Sequence, residues 1–168
     1  MSSMNKMKYW VSRDGYKKLN DKYDAVLQEE IETQKQIGDS VRMDNDLREN
    51  PDYMALQTKA MTEIKSKIAK IKEVLFNCKI IEDSAEYQES DDTQVFIGSI
   101  VTLEYSDGSK EQYQILGYDE ADLDQDIISY LSPLGSSLLG KQTDEIFEFV
   151  NNDYKETIKI IEIKRGLE

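Results

Sequence analysis

Apolar residues recur at intervals of three and four along the first half of this chain and at intervals of two along much of the second. Tyr16, Leu19, Tyr23, Val26 and Ile37 form one stripe on a 3-4 spacing, which predicts a helix starting near Arg13 and ending near Met43. Glu30 and Thr33 interrupt that stripe and weaken its second half. Ser12 is placed to cap the helix, with Asp14 favourable in its first turn. About 30 helical residues would extend ~45 Å at 1.5 Å per residue. The pattern breaks and restarts at Asn50-Pro51, where Asn suits an N-cap and Pro suits the first helical turn. Met61, Ile64, Ile68, Ile71, Leu75 and Cys78 then repeat with heptad spacing. Two amphipathic helices joined by a short connection predict an antiparallel coiled-coil hairpin.

After Ile81 the character changes. Residues 82–93 are polar and acidic and are expected to be a linker. From Gln94 the period drops to two, with β-branched and aromatic residues, and predicts strands over 95–104, 112–117, 127–131, 146–150 and 157–163. Ser106-Asp107-Gly108-Ser109 is a turn between the first two. Residues 117–124 form an acidic loop, and 132–140 a loop followed by a short helix. The expected fold class is α+β: a hairpin over residues 1–83, then a mostly antiparallel β domain with one short helix over 84–168.

Composition narrows the function classes. With no histidine in 168 residues, His-based general-base catalysis, His-ligated zinc and Ser/His/Asp or Cys/His nucleophile schemes are excluded. The single Cys78 forms no intramolecular disulfide and is expected to be a small buried hydrophobe. The N-terminal residues lack an apolar signal core, and no apolar run approaches the roughly 18 residues that span a bilayer, so a cytoplasmic protein without membrane association is expected. The net charge of −13 is uneven. Residues 1–83 hold 15 basic and 15 acidic side chains, and residues 84–168 hold 6 and 19. The second half is therefore no generic nucleic-acid binder, and its charge suits either solubility or a protein partner with a basic surface.

The break between the helices carries the most chemistry. Asp46 and Glu49 stand three apart within Asp46-Leu47-Arg48-Glu49-Asn50-Pro51-Asp52-Tyr53. Two such carboxylates can share Mg²⁺, which prefers oxygen ligands, but they are too few for a cage of their own. The spacing makes metal sense if another molecule supplies the remaining ligands; taken alone it is a weak signal, and ordinary helix capping is the commoner explanation. The second helix carries Lys59, Lys65, Lys67, Lys70, Lys72 and Lys79 against Glu63, Glu73 and Glu82. That basic flank suits an RNA 3′ end, or simply a solvated helix face.

Residues 41–53, Val-Arg-Met-Asp-Asn-Asp-Leu-Arg-Glu-Asn-Pro-Asp-Tyr, resemble the tip motif of the GreA/GreB family of bacterial transcript cleavage factors. Ser12-x-x-Gly15-x-x-x-Leu19, Asp119-Glu120-Ala121-Asp122, Ile128-Ser129, Ser132-Pro133-Leu134 and Leu138-Leu139-Gly140-Lys141 match further family motifs in order. The resemblance spans essentially the whole chain. It implies a coiled-coil hairpin and an FKBP-like C-terminal domain, acting as a monomer on RNA polymerase through its secondary channel. It implies a non-enzyme: no cofactor is bound alone, and Asp46 and Glu49 help hold a Mg²⁺ and a water shared with the polymerase, which then cleaves the backtracked RNA at its 3′ end. By the same resemblance Arg42, Asn50 and Tyr53 shape the tip. Asp119, Glu120, Asp122, Ser132 and Pro133 match the polymerase-facing part of the second domain. Asn45 stands where the family usually has Gly, Gln57 where many members have a basic residue, and Asp44 and Asp52 add acid to the tip. Extra tip acid also resembles Gre-like proteins that occupy the channel and inhibit, which is the alternative reading. A prolyl isomerase would need an aromatic-lined pocket, whereas the Tyr and Phe residues of 95–163 look scattered, so no isomerase activity is expected.

Overall fold

The computed structural model describes residues 9–43 and 50–168. It divides into two compact units: Lys17–Asn77 is helical, and residues 9–16 join Cys78–Glu168 in the other. The expected domain boundary at 83/84 and this division differ. Residues 78–83, and the residues leading into the first helix, pack with the β-rich part of the chain.

In the helical unit, α1 (Arg13–Met43) runs out, and α2 (Pro51–Thr58), a π-helical turn (Lys59–Ile64) and α3 (Lys65–Asn77) run back. Val26 packs with Ile64 and Ile71, flanked by Tyr23, Ile68 and Leu75. Glu29, one turn farther along α1 than Val26, meets Lys59, nearer the start of the returning arm than Ile64 and Ile71, and this inverse order is that of an antiparallel hairpin. Two seam assignments change. Thr33, expected to interrupt the stripe, is itself buried, whereas Met61 is 62% exposed and Ala60 is buried instead, with Ile64 in the seam as expected. The π-turn explains the second change. Its i→i+5 bonding inserts an extra residue in the turn and puts Ala60 in the seam in place of Met61.

The second unit begins with β1 (Tyr9–Val11), which pairs in parallel with β2 (Cys78–Ile80). Cys78 therefore lies on a strand, half-buried, rather than on a helical face, and burial pushes its thiol above the ordinary range. The expected linker contains α4 (Ala85–Gln88), capped by Ser84, whose hydroxyl accepts from Tyr87 N at 3.1 Å. Tyr87 is buried with Ile81 and Ile97, and Trp10 and Phe96 pack against this cluster. Its hydroxyl donates to Leu167 O at 2.9 Å and accepts from Leu167 N at 2.8 Å, which ties the chain's end to this segment.

The main sheet has the order β5-β4-β3-β7-β6. Its strands are β3 (Ser99–Tyr105), β4 (Lys110–Leu116), β5 (Ile127–Ser129), β6 (Ile146–Asn151) and β7 (Tyr154–Arg165). All neighbours are antiparallel except β4 and β5. The predicted strands correspond, except that 95–98 lie outside β3. A register shift at Thr102/Leu103 pairs Glu162 and then Ile160 with successive β3 residues, leaving Ile161 as the extra residue of a bulge. The bulge lets Ile158, Ile160 and Ile163 all face the core, which no unbroken period of two could do. Between β3 and β4 the chain turns at Gly108, whose φ of +83° favours glycine. The short helix α5 (Pro133–Leu138) places buried Leu138 in the same core.

Candidate functional site

The sequence pointed to two sites, the hairpin tip and a loop cluster in the β unit. Asp46 and Glu49, with Asp44 and Asn45, lie outside the described residues; the flanks of the tip are described. On the outgoing side, α1 reaches Met43, and exposed Arg42 lies 3.8 Å from Asp39 one turn back. On the returning side, the Asn50 side-chain oxygen accepts from Asp52 N and Tyr53 N, both at 3.1 Å, with Pro51 at the first helical position. The cap satisfies two of the otherwise orphaned N–H groups at the helix start. It anchors the chain immediately after Glu49 in sequence. Tyr53 is half-buried, and its hydroxyl accepts from Gln57 Nε2 at 3.1 Å, so Gln57 faces along its own helix.

Farther from the tip, Glu29 of α1 meets Lys59 at 2.9 Å and Lys67 at 3.7 Å. The Lys59 hydrogen bond and charge hold the Glu29 carboxyl below its ordinary range. Part of the basic flank is thus neutralised within the hairpin. Lys79 is engaged elsewhere: it meets Glu86 at 2.6 Å and lies 5.0 Å over the Trp10 ring.

In the β unit the predicted docking residues have structural partners. Glu120 accepts from Ser12 N at 2.8 Å and Gly117 N at 3.0 Å, and also from the Ser12 hydroxyl. The same Ser12 hydroxyl accepts from Gly15 N at 2.9 Å, capping α1. A Cβ at Gly15 would collide with the Glu120 carboxylate, so glycine permits this close approach. Asp122 caps a short 3₁₀ turn, accepting from Asp124 N at 3.1 Å and Gln125 Nε2 at 2.9 Å. Ser132 caps α5, accepting from Gly135 N at 3.0 Å while donating to Ser129 O at 2.7 Å. Asp119 has a left-handed φ of +60° and is exposed, as is Pro133. Sequence reasoning missed Leu123 and Leu131, which are 80% and 57% exposed in the segments flanking β5. An apolar residue inside an acidic run, as in Asp122-Leu123-Asp124, was the available signal. It also missed that four aromatics expected to be scattered gather along one cleft.

Among the described residues, no group of three Cys, Asp or Glu side chains is placed to hold a metal, and no helix is long and apolar enough to cross a membrane. Residues 9–80 match the family described as "Transcription elongation factor, N-terminal", and residues 89–165 match "Transcription elongation factor, GreA/GreB, C-term". Transcription elongation factor GreA of Flavobacterium johnsoniae is 32% identical over 163 residues, covering 96% of this chain and 99% of that protein. The chain belongs to the GreA/GreB family of transcription elongation factors. GreA of Mycoplasma genitalium is similar at 30% identity over 157 residues, covering 93% of this chain and 96% of that protein. The solved structure of Thermus aquaticus Gfh1 is 20% identical, with a TM-score of 0.42 over 94% of this chain and 98% of that one. Asn50-Pro51 falls within the first matched region, the Asp122 and Ser132 contacts fall within the second, and the Ser12–Glu120 contact joins the two.

Proposed function

We propose that this Gre-family factor enters the secondary channel of RNA polymerase with its hairpin and stimulates the polymerase's own hydrolysis of backtracked RNA. The observation that supports it most is the tip itself. A two-carboxylate sequence sits between the end of a 31-residue helix and a returning helix capped directly after it by Asn50. A slender arm ending in two acids is poorly suited to bind a metal alone and well suited to complete a site that belongs to another molecule. Asp46 and Glu49 are the residues that would hold a shared Mg²⁺, with oxygen donors matched to a hard cation. When bound, that ion would lower the pKa of a coordinated water and stabilise charge on the scissile phosphate. The chain's own contribution is to place and orient the two carboxylates, with Asn50, Tyr53 and Arg42 holding the flanks. The chain would work as a monomer with no cofactor of its own, and its contact with RNA would be confined to the transcript 3′ end inside the complex.

A second reading, a channel occupant that inhibits without stimulating cleavage, is favoured by one observation. Gln57 stands where the family resemblance places a basic residue, and it hydrogen bonds to Tyr53 rather than facing outward as a cation. A stalled, backtracked elongation complex separates the two. Shortened transcripts on adding the factor support cleavage. Slowed elongation with transcripts of unchanged length overturns it in favour of inhibition.

A further inference from the structure

The β unit holds an aromatic, acidic cleft of about 410 Å³ between its two hairpins. Tyr105 and Tyr113 line it from β3 and β4, and Phe149 and Tyr154 from β6 and β7. The last two rings meet edge to face, with centroids 6.2 Å apart, and Tyr154 is 53% exposed. Leu134 and Ile158 add aliphatic lining. Its charged lining is Asp107, Glu111 and Glu156, with no lysine or arginine.

Those acids are fixed but not neutralised. Glu111 accepts from the Tyr113 hydroxyl, Asp107 accepts from Ser109 N at 2.8 Å, and Glu156 accepts from Ser106 N at 3.1 Å. Hydrogen bonds from Ser109 and Ser106 hold Asp107 and Glu156 below the ordinary carboxylate range, so both are ionised at neutral pH. Burial, then hydrogen bonding with Tyr113, pushes the Tyr105 hydroxyl far above the ordinary tyrosine range, so it stays neutral. Among the described residues no ion pair reaches any of the three acids, although the same unit pairs Lys110 with Glu104 and Lys155 with Glu148 close by.

A solvated acidic surface accounts for three carboxylates on hairpin strands and turns. Packing on the sheet core accounts for Tyr105, Tyr113 and Phe149, but not for the exposed Tyr154 ring beside them or for the cavity of ligand size that the four rings line. Ring faces and carboxylates both attract cations, and aliphatic lining suits the methylene stem beneath a cationic head. We propose that this cleft is a docking site for a basic segment of a partner protein, which inserts an arginine side chain between the Tyr105/Tyr113 and Phe149/Tyr154 pairs with its guanidinium among the three carboxylates. Arginine suits the site better than lysine because its planar head can stack on a ring while donating to carboxylates. The site uses no residue of the hairpin tip, so its failure and the failure of the cleavage role are separate events.

The test uses the full chain and a fluorescein-labelled peptide with a central Leu-Arg-Leu, beside a peptide with citrulline in place of arginine. Saturable binding of the arginine peptide, at least tenfold tighter than the citrulline one, is expected, with amide shift changes confined to 105–113 and 149–158. E111Q/E156Q should weaken binding at least tenfold, and Tyr154→Ala, at a ring 53% exposed, should do the same. Absence of saturable binding, equal affinity for the two peptides, affinity unchanged in both variants, or shift changes centred elsewhere would each overturn the proposal.

Discussion

The helical unit and the β unit use their polar residues in opposite ways. In the β unit a continuous core of buried aliphatic residues runs from Val95 to Ile163, and its polar side chains complete the fold: Glu120 reaches Ser12 across 108 residues of sequence, and Tyr87 binds both backbone groups of Leu167. In the helical unit a narrow seam around Val26, Ile64 and Ile71 holds two arms, and much of each helix surface faces solvent. The lesson is that an acidic side chain has different standing in each. In the β unit, Glu120 and Asp122 are accounted for by the structure they hold. In the hairpin, Glu29 serves no core contact and is held in a partly exposed ion pair with Lys59 and Lys67.

Breaking the two cores alike measures this contrast. Ile160→Ala should destabilise the chain by about 3–5 kcal/mol, because a fully buried site in the sheet core collapses poorly around a lost side chain. Ile71→Ala should cost about 2–3 kcal/mol, because a seam at the surface relaxes more easily. Chemical denaturation followed by circular dichroism checks both, and equal losses would erase the distinction. Next in size, Glu120→Ala should cost about 1–3 kcal/mol, since it leaves the buried Ser12 groups without their acceptor. A neutral result there would return Glu120 to the set of residues kept for a partner.

The smaller effects belong to the hairpin. Asn50→Ala should cost about 1 kcal/mol of helix stability by removing the cap. Its effect on cleavage should exceed what that loss alone predicts, if the cap also positions the tip. Glu29→Gln sharpens the comparison through pH. The folded carboxyl is held below its unfolded value by Lys59, so its contribution is present above the unfolded value of about 4.3 and is lost as pH falls through the lower folded value. Melting curves of the wild type should therefore fall more steeply than those of Glu29→Gln on acidification below about pH 4.3. Parallel curves would mean the Lys59 pair is not maintained in solution.

The hairpin was legible because helix period and caps leave local marks: Ser12, Asn50 and Pro51 all stand where the sequence puts them. Met61 was misplaced because a π-turn has no local signature, and the inserted residue puts Ala60 in the seam in its stead while Ile64, Ile68, Ile71 and Leu75 keep their places. The 82–93 segment looked like a linker because its polar residues outnumber Tyr87, yet that one ring anchors it. β1 and β2 were missed because three residues cannot display a period. The partners of Glu120 and the aromatic cleft depend on sheet register and on contacts across most of the chain, which no local pattern encodes. The tip acids lie outside the described residues, and the role proposed for them comes from the resemblance of the surrounding motif.

The most direct test of the cleavage role is the rate of transcript shortening in a backtracked complex with saturating D46N/E49Q, beside its ability to displace the wild-type chain from polymerase. These replacements keep size and polarity and remove both charges. The account predicts a cleavage rate at least about 100-fold lower, roughly 3 kcal/mol of lost transition-state stabilisation, with displacement unchanged. Cleavage within a few fold of wild type at full displacement would contradict it.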